Sequence, residues 1–228
     1  MREYIIGLDL GQAQDYTALA VAERHADTGG NRYDIAWLQR FALGTPYPAI
    51  VAAVVALVGR LAAQPDAVVP TLVVDMTGVG RPVVDLFRQG SLAAALHDIT
   101  ITGGDTPTHE GASWRVPKRD LVSVVKVLLG GERLKVASAL PEAAMLTREL
   151  LNFQVKITAL AHDAYGAWRE GTHDDLVLAV ALAAWLGEYG REPVQGFAFG
   201  ARVPSAYDDG NAIRPLSWSR PSGRGFPQ

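Results

Sequence analysis

Ile5-Ile6-Gly7-Leu8-Asp9-Leu10-Gly11 is a hydrophobic run that ends on a carboxylate and a turn glycine. A second run of the same design, Leu72-Val73-Val74-Asp75, stands further along the chain. Each acid follows residues that belong inside a sheet, where a carboxylate is costly unless it is paired or bound to a cation. If the two strands are parallel neighbours, Asp9 and Asp75 converge at one sheet edge. A third acidic site, Thr172-His173-Asp174-Asp175, opens an apolar helix whose start can bring Asp175 to the same point. Taken singly, each has an ordinary explanation. Aspartate ends strands as a turn former, and a Thr172 cap followed by acids suits a helix N-terminus.

Working outward, Tyr4–Leu10, Tyr16–Arg24 and Arg32–Phe41 read as three strands, the last two separated by the turn-rich Ala26-Asp27-Thr28-Gly29-Gly30-Asn31. Tight links make them an antiparallel meander. Pro46–Ala63 predicts a helix, Thr71–Asp75 a strand, Gly80–Phe87 a helix with proline in its first turn, and Asp98–Thr102 a strand. Gly103–Pro117 reads as a long polar loop, in which His109, Trp114 and Arg115 are candidates for touching DNA. Leu121, Val124, Val125, Leu128 and Leu129 recur at helical spacing. Pro141–Asn152 predicts a helix, Phe153–Trp168 a hairpin, and His173–Tyr189 a final helix, apolar nearly all round and buried except at its start. The fold class expected is α/β, a mixed sheet of three antiparallel strands followed by parallel ones, with helices on both faces.

Residues 1–190 are expected to form one domain. From Arg191 to Gln228 the chain turns rich in Pro, Gly, Ser and Arg, with five arginines against three acids, and is expected to be extended or disordered. The 228 residues suffice for a real core. With no cysteine, zinc ribbons, thiolate clusters, thiol nucleophiles and disulfides are all excluded. The formal charge of −3 excludes a chain that coats nucleic acid by bulk positive charge, although 17 arginines against 4 lysines leave room for a local basic path. No apolar stretch approaches the roughly 20 residues of a spanning helix, and the N-terminus lacks a signal-peptide layout, so a soluble intracellular protein is expected.

Three converging carboxylates repel one another, and a divalent cation resolves that repulsion. Oxygen donors without cysteine point to Mg²⁺ or Mn²⁺ rather than zinc. Two such ions, about 4 Å apart, would activate water and stabilise the leaving oxygen of a phosphodiester.

Four segments carry a family resemblance. They are Gly7-Leu8-Asp9-Leu10-Gly11 with Asp15-Tyr16-Thr17-Ala18; Val73-Val74-Asp75-Met76-Thr77-Gly78-Val79-Gly80; Val116-Pro117-Lys118-Arg119-Asp120-Leu121; and Glu170 to Ala179, which includes His173-Asp174-Asp175. Over roughly residues 3–190 the chain resembles the nuclease domain of phage terminase large subunits, a ribonuclease H-like fold. The resemblance implies a metal-dependent endonuclease that cuts concatemeric double-stranded DNA during viral genome packaging. It assigns Asp9, Asp75 and Asp175 as the catalytic, metal-holding triad, with two Mg²⁺ or Mn²⁺ ions. Asp174 and Asp15 become auxiliary ligands or supporting acids behind the ligands, and the choice of Asp175 over Asp174 rests on that analogy alone. His173 becomes a supporting group behind the ligands or a helix cap, and Lys118, Arg115 and Arg81 become candidate DNA contacts. The implied partners are DNA, a packaging ATPase motor, the portal and the small terminase, in the cytoplasm of an infected bacterium. The motor is expected on another chain or another part of the protein, since no Gly-x-x-x-x-Gly-Lys-Ser/Thr loop is present.

Two alternatives share the fold. A Holliday-junction resolvase would use the same acids, as a dimer on four-way junctions. A docking or DNA-binding module would keep the fold and lose the metal. An actin-like ATPase, suggested by Asp9-Leu10-Gly11, needs a second phosphate loop, and a Rossmann domain needs a third glycine where Val83 stands.

Overall fold

The computed structural model describes residues 1–11, 15–160 and 174–190, except the side chains of 153–160. One eight-stranded mixed sheet organises them. In chain order the elements are β1 (Glu3–Asp9), β2 (Ala18–His25), β3 (Arg32–Arg40), α1 (Tyr47–Ala62), β4 (Thr71–Asp75), α2 (Gly80–Gln89), β5 (Ala95–Thr102), β6 (Thr108–Glu110), β7 (Ser113–Pro117), α3 (Lys118–Gly130), β8 (Leu134–Val136), α4 (Ala143–Leu160) and α5 (Asp175–Tyr189). Across the sheet the strands run β6-β7-β5-β4-β1-β2-β3-β8. The β1–β2–β3 meander is antiparallel, as expected, and β1 pairs with β4 in parallel. β5 and β7 extend the parallel half.

Side-chain alternation assigns each strand residue to a face. Tyr4, Ile6, Leu8, Leu72 and Val74 turn to a core shared with α1 and α2. Ile5, Val73, Ala18, Ala20 and Ile99 turn to the opposite core, built with α3, α4 and α5. The α5 segment is buried almost throughout, and this extends to its first residue, Asp175, where an exposed start was expected. The helix can lie that close because Gly7 faces Ala179 and Ala183, and a Cβ on Gly7 would overlap the Ala179 carbonyl.

The structure corrects two further readings. The backbone of residues 153–160 continues α4 rather than starting a hairpin. Val155, Ile157 and Thr158 carry strand propensity, but that preference is weak beside helix continuation in a tertiary setting; the remainder of the expected hairpin lies outside the described residues. The polar loop contains strands β6 and β7, because β5 offers a free parallel edge on which Ser113–Pro117 can pair. The short β8 at the far edge, paired with β3, is an additional strand with too few residues to show a pattern in the sequence. The tail from residue 191 lies outside the described residues.

Candidate functional site

Register brings the first two acids together. Ile5 to Leu8 pair in order with Thr71 to Val74, so Asp9 and Asp75 end adjacent parallel strands side by side. Both occupy the positions of Ile5, Gly7 and Val73 in the alternation, and so face α5.

The helix delivers the third acid by a matching of lengths. Gly7 touches α5 at Ala179. Asp9 lies two strand residues beyond Gly7, about 6.6 Å along β1. Asp175 lies four helical residues before Ala179, about 6 Å along α5. With the helix antiparallel to the strand, both steps lead to the same end. Asp9, Asp75 and Asp175 are all buried there, at 8 %, 7 % and 6 % exposure.

Electrostatics record the crowding. Burial, then the charges of Asp75, Asp175 and Asp174, then a hydrogen bond with Asp75, push the Asp9 carboxyl well above the usual carboxylate range. A hydrogen bond with Asp75 is among the causes, so the two carboxyls lie side by side, where neighbouring negative charge disfavours the ionised form. Asp75 Oδ1 also accepts the Thr77 N–H at 2.7 Å, and the Thr77 hydroxyl accepts the Ile101 N–H at 2.8 Å, fixing the turn after β4. In that turn Gly80 must be glycine, since a Cβ would strike the Asp75 carbonyl.

Two site residues escaped sequence reasoning. Arg40, the last residue of β3, pairs across the sheet with Ala18, which pairs with Asp9. One row at the sheet edge thus reads Asp75, Asp9, Ala18, Arg40. Arg40 Nη2 lies 3.3 Å from Asp175 Oδ2 and bonds Glu149 Oε1, while its guanidinium covers the Tyr16 ring at 4.7 Å. Glu149 comes from α4 and is almost fully buried. Its Oε2 accepts the N–H groups of Leu176 and Val177 at 3.0 and 3.1 Å. It thereby caps α5 from a neighbouring helix, while Asp174 at the N-cap position makes no side-chain cap bond. Burial, against the pull of the Val177 N–H and Arg40, pushes Glu149 up to about 7.

The other expected residues scatter around this centre. Asp174 acts on Asp9 electrostatically, whereas Asp15 is exposed and lines a cavity of about 160 Å³ with Gly11, Thr17, Thr45 and Tyr47. Lys118 opens α3, half-buried, and Arg81 is exposed in the first turn of α2; both follow parallel strands and so stand at the edge that carries the acids. Arg115 alternates with Trp114 and Val116, which pack toward α5, and so faces the other side of the sheet. His109 is exposed and stacks on Trp114, ring centroids 4.2 Å apart. His173 and Thr172 lie outside the described residues, and α5 begins at Asp175 rather than His173.

The donor chemistry of Asp9, Asp75, Asp174 and Asp175 fits a hard divalent cation. Among the described residues, however, no three His, Asp or Glu side chains are grouped so as to hold an ion as they stand. The Arg40 guanidinium, 3.3 Å from Asp175, brings positive charge to this arrangement.

Strand order, antiparallel meander, parallel half and helices on both faces define a ribonuclease H-like α/β fold. Among solved structures the chain is similar to the large terminase nuclease from thermophilic phage G20c, at 23% identity over 82% of this chain and 83% of that one, with a TM-score of 0.50. It is also similar to the human cytomegalovirus terminase nuclease domain, Mn soaked and inhibitor bound, at 14% identity over 81% and 83% of the two chains, again with a TM-score of 0.50. No family model and no curated protein matches the sequence. No described helix is long and apolar enough to cross a membrane.

Proposed function

We propose that the protein is a metal-dependent DNA endonuclease of a viral genome-packaging machine, cutting concatemeric double-stranded DNA in the cytoplasm of the infected host. The observation that carries this reading is the burial of Asp9 against Asp75, Asp175 and Asp174 at the end of two parallel strands. So many mutually repelling acids, at a cost to stability, suit a cation site. The fold shared with the two terminase nucleases supports the same reading, and the manganese soak of the cytomegalovirus domain favours Mn²⁺ or Mg²⁺.

In this reading Asp9, Asp75 and Asp175 hold two ions, with Asp174 and Asp15 as auxiliary donors. The chemistry such ions supply is acidification of water and neutralisation of charge on the scissile phosphate. The chain's own residues bind and orient: the β1–β4 register fixes Asp9 beside Asp75, and the Glu149 cap fixes the first turn of α5 and with it Asp175. Lys118 and Arg81 flank the acids at the same edge and meet the DNA backbone. The packaging ATPase, portal and small terminase present the substrate.

The test is cleavage of supercoiled plasmid with Mn²⁺, Mg²⁺ or EDTA, comparing wild type with Asp75→Ala. Nicking and linearisation that need the metal and vanish in the variant support the reading. Equal cleavage by the variant sinks the assignment of the triad.

A further inference from the structure

Arg40 is poorly placed for a purely structural ion pair. A stable arginine–carboxylate pair is usually bidentate, with two parallel N–H donors on one carboxylate. Here a single nitrogen, Nη2, serves both Glu149 and Asp175. The Nε of the same side chain is buried, and it makes no hydrogen bond among the described residues. The guanidinium is thus held end-on between two acids, with a donor unused and the aromatic face of Tyr16 beneath it.

The two acids differ in what else holds them. Glu149 is fixed by the Leu176 and Val177 amides and serves as a permanent dock. Asp175 belongs to the cluster that includes Asp9, Asp75 and Asp174. Removing a guanidinium from such a cluster would leave adjacent acids with no positive charge between them. Supplying a divalent cation would make the guanidinium surplus.

We propose that Arg40 is a built-in stand-in for the divalent cation, shared between Asp175 and its dock Glu149 in the metal-free protein and released wholly to Glu149 when the cation binds. Arg40 is accordingly a positioning residue: it keeps Asp175 in place and sets how readily the acids accept an ion. This inference rests on the metal-site reading above and extends it to residues outside the acid cluster.

The stand-in role predicts effects of opposite sign, which damage to the fold does not produce. Arg40→Met keeps much of the stem over Tyr16 but removes the competing charge. It lowers the melting temperature without metal and tightens Mn²⁺ binding by about tenfold. Arg40→Lys keeps the charge but loses the reach and planarity to serve both acids. It folds more readily than the Met variant and tightens Mn²⁺ binding by a smaller factor. Glu149→Gln removes the dock, commits Arg40 to Asp175, and weakens Mn²⁺ binding by about tenfold. Arg133→Ala breaks a comparable ion pair, with Glu188 at the far end of α5, and serves as the control that destabilises without changing Mn²⁺ affinity.

The measurement is titration calorimetry with MnCl₂ on each full-length variant, beside melting curves in EDTA and in Mn²⁺. Tighter binding by the Arg40 variants with weaker binding by Glu149→Gln supports the proposal. Wild type that binds Mn²⁺ while Arg40→Lys and Arg40→Met bind it equally well or less tightly overturns the proposal and leaves the nuclease reading standing. Wild type that takes up no Mn²⁺ removes both.

Discussion

Gly7 and Ala179 touch backbone to backbone, and this contact sets where the start of α5 falls relative to the end of β1. No rotamer can relieve a methyl placed at Gly7, because the atom it meets is a carbonyl oxygen. Overpacking usually costs about 1–3 kcal/mol, and a backbone obstacle belongs at the upper end or beyond. Gly7→Ala is expected to lower the melting temperature sharply, and Gly7→Val to abolish soluble expression. Ala179→Gly does not rescue either, since the carbonyl remains. Circular dichroism melts and soluble yield check all three.

Asp9 presents the opposite case, a residue whose removal should strengthen the fold. Its carboxyl is buried among Asp75, Asp175 and Asp174 and is held well above its ordinary range. Asn in its place can still donate a hydrogen bond to Asp75 and brings no charge into the cluster. Asp9→Asn is therefore expected to raise the metal-free melting temperature while lowering plasmid cleavage by at least about a hundredfold, the stability–activity trade-off of a built site. A variant that loses both stability and cleavage would mean that Asp9 is a structural acid.

Much of this site was legible in the chain, and the part that was not has a specific cause. Asp9 and Asp75 each end an apolar run, and their burial follows from the β1–β4 pairing. Arg40 was hidden by a bulge. Val21 pairs with Trp37 and Ala22 with Ile35, so Ala36 is an extra residue in β3. Strict alternation places residue 40 on the face opposite Tyr33 and Ile35; the bulge reverses the parity and turns Arg40 toward α5 with Leu38. Glu149 was hidden differently. It lies three residues after Leu146 on the same face of α4, but a glutamate reads as a surface residue by default, and its partners are backbone amides of a distant helix. A periodicity reading contains no information about such a cap. The strand β7 was missed because its existence depends on the vacant edge of β5 rather than on its own alternation.

The far end of α5 carries a pH dependence of its own. Burial pushes Glu188 up, but hydrogen bonds from Tyr33, Asn31 and Arg133 together outweigh it and hold the carboxyl below its ordinary value of 4.5. A folded-state value below the unfolded one contributes stability that is complete above pH 4.5 and is lost as pH falls through the lower folded value. Glu188→Gln is expected to cost about 1.5–3 kcal/mol at pH 7, the range for hydrogen bonds to a charged group. The gap to wild type should narrow as the pH falls below 4.5. Urea melts at pH 7, 5 and 3.5 decide it: a gap that stays constant across them means that the charge of Glu188 is irrelevant.

Lys118 and Arg81 stand at the sheet edge that carries the acids, whereas Arg115 faces the other side of the sheet. A lysine or arginine that neutralises a phosphate releases a counterion, so its loss flattens the dependence of log K on log salt by about 0.9 per contact on duplex DNA. Lys118→Ala and Arg81→Ala are each expected to reduce that slope by about one and to weaken binding uniformly across sequences. Arg115→Ala is expected to leave it unchanged. Fluorescence anisotropy on a short duplex, in Ca²⁺ to suppress cutting and from 50 to about 200 mM salt, separates the three. A slope that falls only for Arg115 would place the DNA on the α1–α2 side of the sheet, away from Asp9 and Asp75, and would count against cleavage at those acids.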